Sequence, residues 1–183
     1  MQFDKFTLKA QEVIQASQQL AERFSNQQIE PEHIIKAVLD QKEGVVPPLL
    51  GKIGADQNRL NKEFEAAIDK LPKVSGAGYG QSYLSPRSKT VLDKAFKEAE
   101  QVKDEYVSLE HILQAATEEI VLKMARHLHR QTGMKHLCMA GEAAMNGAVN
   151  GRILREGPFD DLWVQPADGG AGGALGAALC VWH

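Results

Sequence analysis

Over the first 114 positions apolar residues recur every three or four places, a spacing that predicts amphipathic helices. Val13, Ile14, Ser17, Ala21 and Phe24 form one stripe behind Thr7, whose hydroxyl suits an N-cap. Val91, Leu92, Ala95, Ala99 and Val102 form a second stripe behind Ser85 and Pro86, a cap followed by proline where its missing N–H costs nothing. Pro31 and Ser108 are further helix openings. The run Val45-Val-Pro-Pro-Leu-Leu50 breaks one helix and begins another, and Leu60, Phe64, Ala67, Ile68 and Leu71 give one more amphipathic face. The glycine-containing stretch 73–82 joins the two stripes as a linker. No Lys-Ser/Thr pair follows its glycines, so it does not read as a phosphate loop.

The two stripes are copies of one pattern. A shift of 78 positions lays residues 7–36 on 85–114 without a gap. Val13, Ala21, Glu22, Glu32, His33 and Ile34 then meet Val91, Ala99, Glu100, Glu110, His111 and Ile112, while Thr7 meets Ser85 and Ile29 meets Val107. Each copy reads as helix, loop, helix. His33 and His111 each follow a glutamate at a helix start, without other metal ligands at useful spacing, and are expected to pack that helix start.

The pattern changes near Leu113 to Thr117. Six of the 16 glycines lie in residues 1–114 and ten in 115–183. Glu118 to Gly133 predicts a helix ending on a glycine cap. Leu137 to Ala140 and Asp161 to Gln165 predict short strands on either side of a small-residue helix reaching Arg155, and Ala174 to Trp182 predicts a final helix. The order α-β-α-β-α is that of a parallel α/β unit. Strand, glycine turn and helix N-terminus suit an anion, but the arrangement is more commonly a packing device.

Composition narrows the function. Apolar residues make up 43% of the chain and charged residues 25%, with a net charge of −3. That balance carries no electrostatic footprint for nucleic acid or an anionic membrane. The longest weakly apolar stretch, Gly169 to Trp182, is too short to span a bilayer, and the first residues lack the apolar core of a secretory signal. Cys138 and Cys180 read as free thiols in a reducing compartment, and the expected location is the cytoplasm.

Asp4-Lys-Phe-Thr7, Gln27-Gln-Ile-Glu-Pro-Glu-His33, Glu43-Gly-Val-Val-Pro-Pro-Leu-Leu50, Tyr83-Leu-Ser-Pro86 and Asp104-Glu-Tyr-Val-Ser-Leu-Glu-His111 resemble the start of bacterial Clp disaggregases of the ClpB kind. The resemblance covers about residues 1–113. It implies a mainly α domain of two pseudo-symmetric four-helix repeats, about 3–72 and 83–113 here, which engages unfolded or aggregated polypeptides. Clp ATPase subunits or an adaptor are the further partners it implies. It also implies that Thr7, Asp104 and Glu110 lie near the surface that meets protein substrates. Helix caps and a solvated acidic cluster account equally well for these three residues. The sequence contains no Walker A pattern, so no catalysis, cofactor or metal is expected of this part.

Leu137-Cys-Met-Ala-Gly141, Asn146, Asn150-Gly-Arg152, Glu156-Gly-Pro-Phe-Asp160 and Gly172-Gly-Ala-Leu-Gly-Ala-Ala-Leu179 resemble O-carbamoyltransferases of the nodulation and antibiotic-tailoring type. That resemblance covers about 114–183 and implies a fragment of an actin-like fold, with Gly141, Asn146, Asn150 and Gly172 as the remnant of a nucleotide site. Glu142 stands where the family has a second glycine, and Gly170 where it has a metal-binding aspartate. His127 and His129 sit two apart on a helix and point apart. The expectation is a non-catalytic fragment, with Trp163 and Trp182 partly solvated, in a chain of two joined parts. The alternative is a degenerate nucleotide-binding enzyme fragment.

Overall fold

The computed structural model describes residues 3–41, 44, 46–52, 55–74, 82–167, 172, 174, 177, 178, 180 and 181. Most of the linker 73–82, and four of the nine residues of the final helix expected over 174–182, lie outside these residues. The chain divides into two compact units, Met1–Ala116 and Thr117–His183.

The N-terminal unit is helical. A 3-10 turn at Phe3–Lys5 precedes α1 (Leu8–Arg23), α2 (Pro31–Leu39), α3 (Val46–Lys52), α4 (Gln57–Asp69) and α5 (Pro86–Val102). α6 (Leu109–Thr132) begins in this unit. Caps sit where the sequence places them: Thr7 accepts the Ala10 N–H at 3.3 Å, and Ser85 accepts the Ser88 N–H at 3.1 Å. The first stripe is buried at Val13, Ile14, Ser17 and Ala21, and the second at Val91, Leu92, Ala95 and Ala99. Both feed one core with Phe6, Ile29, Ile34, Val38, Val107 and Ile112. Val102, expected to close the second stripe, is exposed because α5 ends there and turns away through Lys103.

The copies are locked by an exchange that helical periodicity does not announce. β1 (Gln28–Ile29) pairs in parallel with β2 (Tyr83–Leu84), and Phe6 pairs in parallel with Val107 as a single bridge. The 78-residue shift carries Ile29 onto Val107 and Phe6 onto Leu84, so the two pairings are mates. Each copy's residue ahead of its first helix binds the loop between the other copy's two helices. The Ser85 N–H donates to the Ile29 carbonyl at 3.1 Å, and the Thr7 N–H donates to the Val107 carbonyl at 3.0 Å, which repeats the relation in hydrogen bonds.

The sequence pattern separates a helix opening at Ser108 from another opening at Glu118. The structure has one helix, Leu109–Thr132, through both. Residues 110–132 hold no glycine or proline, so nothing in the backbone ends the first segment. The expected glycine cap does stop it, with Gly133 at φ 65°.

In the C-terminal unit, α6 is followed by β3 (His136–Met139), a 3-10 turn (Glu142–Met145), α7 (Gly147–Glu156) and β4 (Asp161–Val164). β3 and β4 pair in parallel, His136 against Asp161 through Met139 against Val164. A small core of Ala125, Leu137, Val149, Ile153 and Phe159 lies beneath them. Trp163 is 54% exposed, as expected of a strand with few neighbours, while Trp182 lies outside the described residues. Among the described residues no helix is long and apolar enough to cross a membrane.

Candidate functional site

The residue after α5, Lys103, is left-handed at φ 62°, and its mate after α1, Ser25, is left-handed at φ 59°. Neither is glycine, so each copy accepts an unfavourable backbone conformation at this point. The turn pairs the Asp104 N–H with the Ala99 carbonyl at 2.8 Å, and the Asn26 N–H with the Ala21 carbonyl at 2.8 Å. It carries the next side chain back towards the helix that follows. There the Asn26 Oδ1 meets His33 Nε2 at 3.1 Å, and an Asp104 oxygen meets His111 Nε2 at 3.3 Å.

The histidines hold the helix starts. His33 Nδ1 accepts the Glu30 N–H at 2.9 Å, and His111 Nδ1 accepts the Ser108 N–H at 3.0 Å. With Nδ1 accepting, His33 carries its proton on Nε2 and donates it to Asn26. Burial pushes the His33 pKa below its ordinary value, against the opposing pull of the Glu32 carboxylate. The unfolded chain therefore binds a proton more readily than the folded one. This stability is present above about pH 6.5, the ordinary histidine value, and is lost as the pH falls through the lowered folded value. Urea titrations at pH 7.5 and pH 5.5 are expected to show a lower midpoint at pH 5.5, and His33→Gln is expected to remove most of that difference.

The copies differ in what covers the turn. In the first, the chain after α4 lies across it: the Val74 N–H donates to the Ser25 carbonyl at 2.8 Å, and Asn26 Nδ2 donates to the Pro72 carbonyl at 3.0 Å. In the second, among the described residues of this unit, the turn borders a cleft of about 320 Å3, lined by Lys5, Phe96, Ala99, Glu100, Asp104, Glu105 and Val107. Its floor is apolar and its charged lining is three carboxylates to one ammonium. Phe96 is reached edge-on by Phe6 at 5.0 Å between centroids, and Phe6 in turn lies 6.2 Å from the half-exposed Phe3.

Of the three residues singled out in the sequence, Asp104 lines this cleft. Thr7 caps α1 and is bonded through its backbone to Val107, a lining residue. Glu110 lies in the first turn of α6, where the Ser108 hydroxyl and its own backbone N–H hold its carboxyl below the usual range. Lys5, Phe96, Glu100, Glu105 and Val107 escaped the sequence reading.

In the C-terminal unit Gly141 is left-handed at φ 88°, a conformation glycine adopts freely. Asn146 caps α7 by accepting the Val149 N–H at 3.2 Å, and Asn150 Nδ2 donates to the Ala144 carbonyl at 2.7 Å. A Cβ on Gly172 would lie 2.8 Å from the Ala167 carbonyl oxygen. Each of the four thus has a local backbone role. Cys138 and Cys180 are free and exposed.

Residues 5–137 match the family of the Clp repeat N-terminal domain. The chain belongs to this family. The match runs 24 residues past position 113, where the resemblance read from the sequence stops, and includes all of α6. The Clp repeat fold is seen again in the N-terminal domain of Hsp104 from Candida albicans, at 23% identity over 86% of this chain and 96% of that one, with a TM-score of 0.60. The chaperone protein ClpB of Rhodopseudomonas palustris is 40% identical over 115 residues, 63% of this chain and 13% of its own length. An uncharacterized protein of Synechocystis is 51% identical over 71 residues, 39% of this chain and 12% of its own length. The chain thus spans about an eighth of the length of these curated relatives. Clp N-terminal domains are non-catalytic substrate-binding modules.

Proposed function

We propose that the Clp repeat domain of this chain recognises exposed segments of unfolded or aggregated polypeptides through the cleft at the end of α5. The observation that carries this reading is the cleft's make-up. An apolar floor of Phe96, Ala99 and Val107 takes aliphatic side chains, and Glu100, Asp104 and Glu105 on its rim favour the basic residues that flank them in many polypeptides. The solved complex of a ClpV N-domain with a VipB peptide, which shares this fold at a TM-score of 0.53, lends support from a relative that binds a peptide. Thr7 sets the Val107 edge of the cleft, and Glu110 adds charge at the opening of α6. A Clp ATPase subunit or an adaptor is the further partner to which the captured chain passes. The exposed thiols of Cys138 and Cys180 fit a reducing cytoplasm.

The second unit is a partial α/β fragment without catalysis, joined to the repeat domain in a composite chain. The parallel β3–β4 pair across α7 and the shift in glycine content support that reading. Sequencing source DNA across the codons for Ile112 to Thr117 tests the join, and an intact open reading frame there is the expected result.

The binding reading is tested by fluorescence anisotropy with labelled lactalbumin, either native or reduced and carboxymethylated. The carboxymethylated form is expected to bind and the native form not. Asp104→Ala is expected to weaken binding about tenfold, the scale of one charge-assisted hydrogen bond. Equal binding of the two forms would sink the proposal.

A further inference from the structure

We infer that the cleft at the end of α5 binds an extended polypeptide segment in the manner in which the first copy holds Pro72–Val74, with Asp104 selecting a segment that carries a basic side chain. This rests on the protein-binding reading and gives it a geometry and a ligand class.

The repeat supplies the template. In the first copy two groups fix the overlying chain: the Ser25 carbonyl accepts the Val74 N–H, and Asn26 Nδ2 donates to the Pro72 carbonyl two residues earlier. Their mates in the second copy are the Lys103 carbonyl and the Asp104 carboxylate. The left-handed turn is the same, at φ 59° and 62°, and so is the bond from the following N–H to Ala21 or Ala99. The backbone that presents the two anchors is therefore duplicated. What differs is cover. Asn26 is 1% exposed, whereas the Asp104 side chain is 58% exposed, and among the described residues no donor reaches the Lys103 carbonyl.

The change from Asn26 to Asp104 sets the ligand. An amide can donate to a peptide carbonyl; a carboxylate only accepts. A segment seated on the Lys103 carbonyl by one N–H would, if it copied Pro72, aim a carbonyl oxygen at a carboxylate. A lysine or arginine two residues before the anchoring N–H offsets that repulsion by bringing its ammonium or guanidinium to Asp104, with Glu100 and Glu105 also in the lining. Lys5 is the opposing charge there, and Phe96 and Val107 leave room for an apolar neighbour.

The test uses the full chain and fluorescein-labelled hexapeptides containing Leu-Arg-Lys-Val or the internal segment's own Leu-Pro-Lys-Val. The arginine peptide is expected to bind about tenfold more tightly than the proline peptide. Asp104→Asn, which restores the first copy's amide, should abolish or reverse that preference. Replacing the valine N–H by an ester oxygen should weaken binding to the unaltered protein about fivefold, the loss of one hydrogen bond. The ester comparison needs no variant, so it stands even if Asp104→Asn is poorly folded. Equal affinities for all three peptides would overturn the inference. If carboxymethylated lactalbumin binds and the arginine peptide fails to displace it, this geometry is wrong and the protein-binding reading survives. If neither binds, both are wrong.

Discussion

Phe6→Ala is expected to cost the N-terminal unit about 3–5 kcal/mol, the usual range for emptying a phenylalanine site in a packed core. Phe6 is 1% exposed and carries the bridge to Val107 that ties one copy to the other. Its ring meets Phe96 edge-on at 5.0 Å, a geometry that adds to the area it buries. The alanine variant leaves a void on the central exchange, where backbone on both sides is already hydrogen-bonded and cannot collapse inward. Leu84, its mate under the 78-residue shift, is only half-buried, so Leu84→Ala should cost distinctly less. The measurement is urea unfolding followed by far-ultraviolet circular dichroism, with a lower midpoint and an unchanged slope. Trp163 and Trp182 both lie beyond residue 116, so their fluorescence reports the other unit. That signal should hold its midpoint; a parallel shift would mean that the two cores unfold as one.

The helices that make this site were legible because burial imposes a 3.6-residue period, and their starts were legible because Thr7, Ser85 and Pro86 have specific capping chemistry. The repeat exposed the second copy even where identities are few. Three features stayed hidden, each for a physical reason. The exchange of Phe6 with Val107 and of Ile29 with Leu84 involves pairings of one or two residues, too short for any alternation to show. The continuity of α6 was masked by a change of composition at Ala115, although a helix is ended by caps, glycine or proline rather than by composition. The cleft was the hardest to foresee. Asp104 came from the family resemblance, but whether it is open depends on what lies over it, and that is a tertiary fact. The chain after α4 covers Asn26. The shift that aligns Asn26 with Asp104 was visible in the sequence, and the exchange of amide for carboxylate at that place was its one direct sign of a different ligand.

Arg152→Met is expected to destabilise the C-terminal unit by about 3–5 kcal/mol, the range for removing one partner from a buried ion cluster. The Arg152 side chain is buried on α7 and faces Glu118 at 3.6 Å, Glu119 at 2.9 Å and Glu156 at 3.3 Å. Glu118 is itself buried, so the guanidinium contributes charge compensation there that water cannot supply. The surrounding core is small, five buried side chains among the described residues, and has little surplus to absorb such a loss. Arg152→Lys should recover only part of it, since one ammonium cannot reproduce a planar fork serving three carboxylates. Tryptophan fluorescence in urea reads the effect, through the half-exposed Trp163 on β4. Two causes predict different double variants. If the loss comes from a stranded carboxylate, Glu118→Gln added to Arg152→Met restores stability, because it removes the uncompensated charge. If it comes from lost packing around the arginine stem, Glu118→Gln restores nothing. The side chain's position between three carboxylates, with only aliphatic stem in the core, makes restoration the expected result.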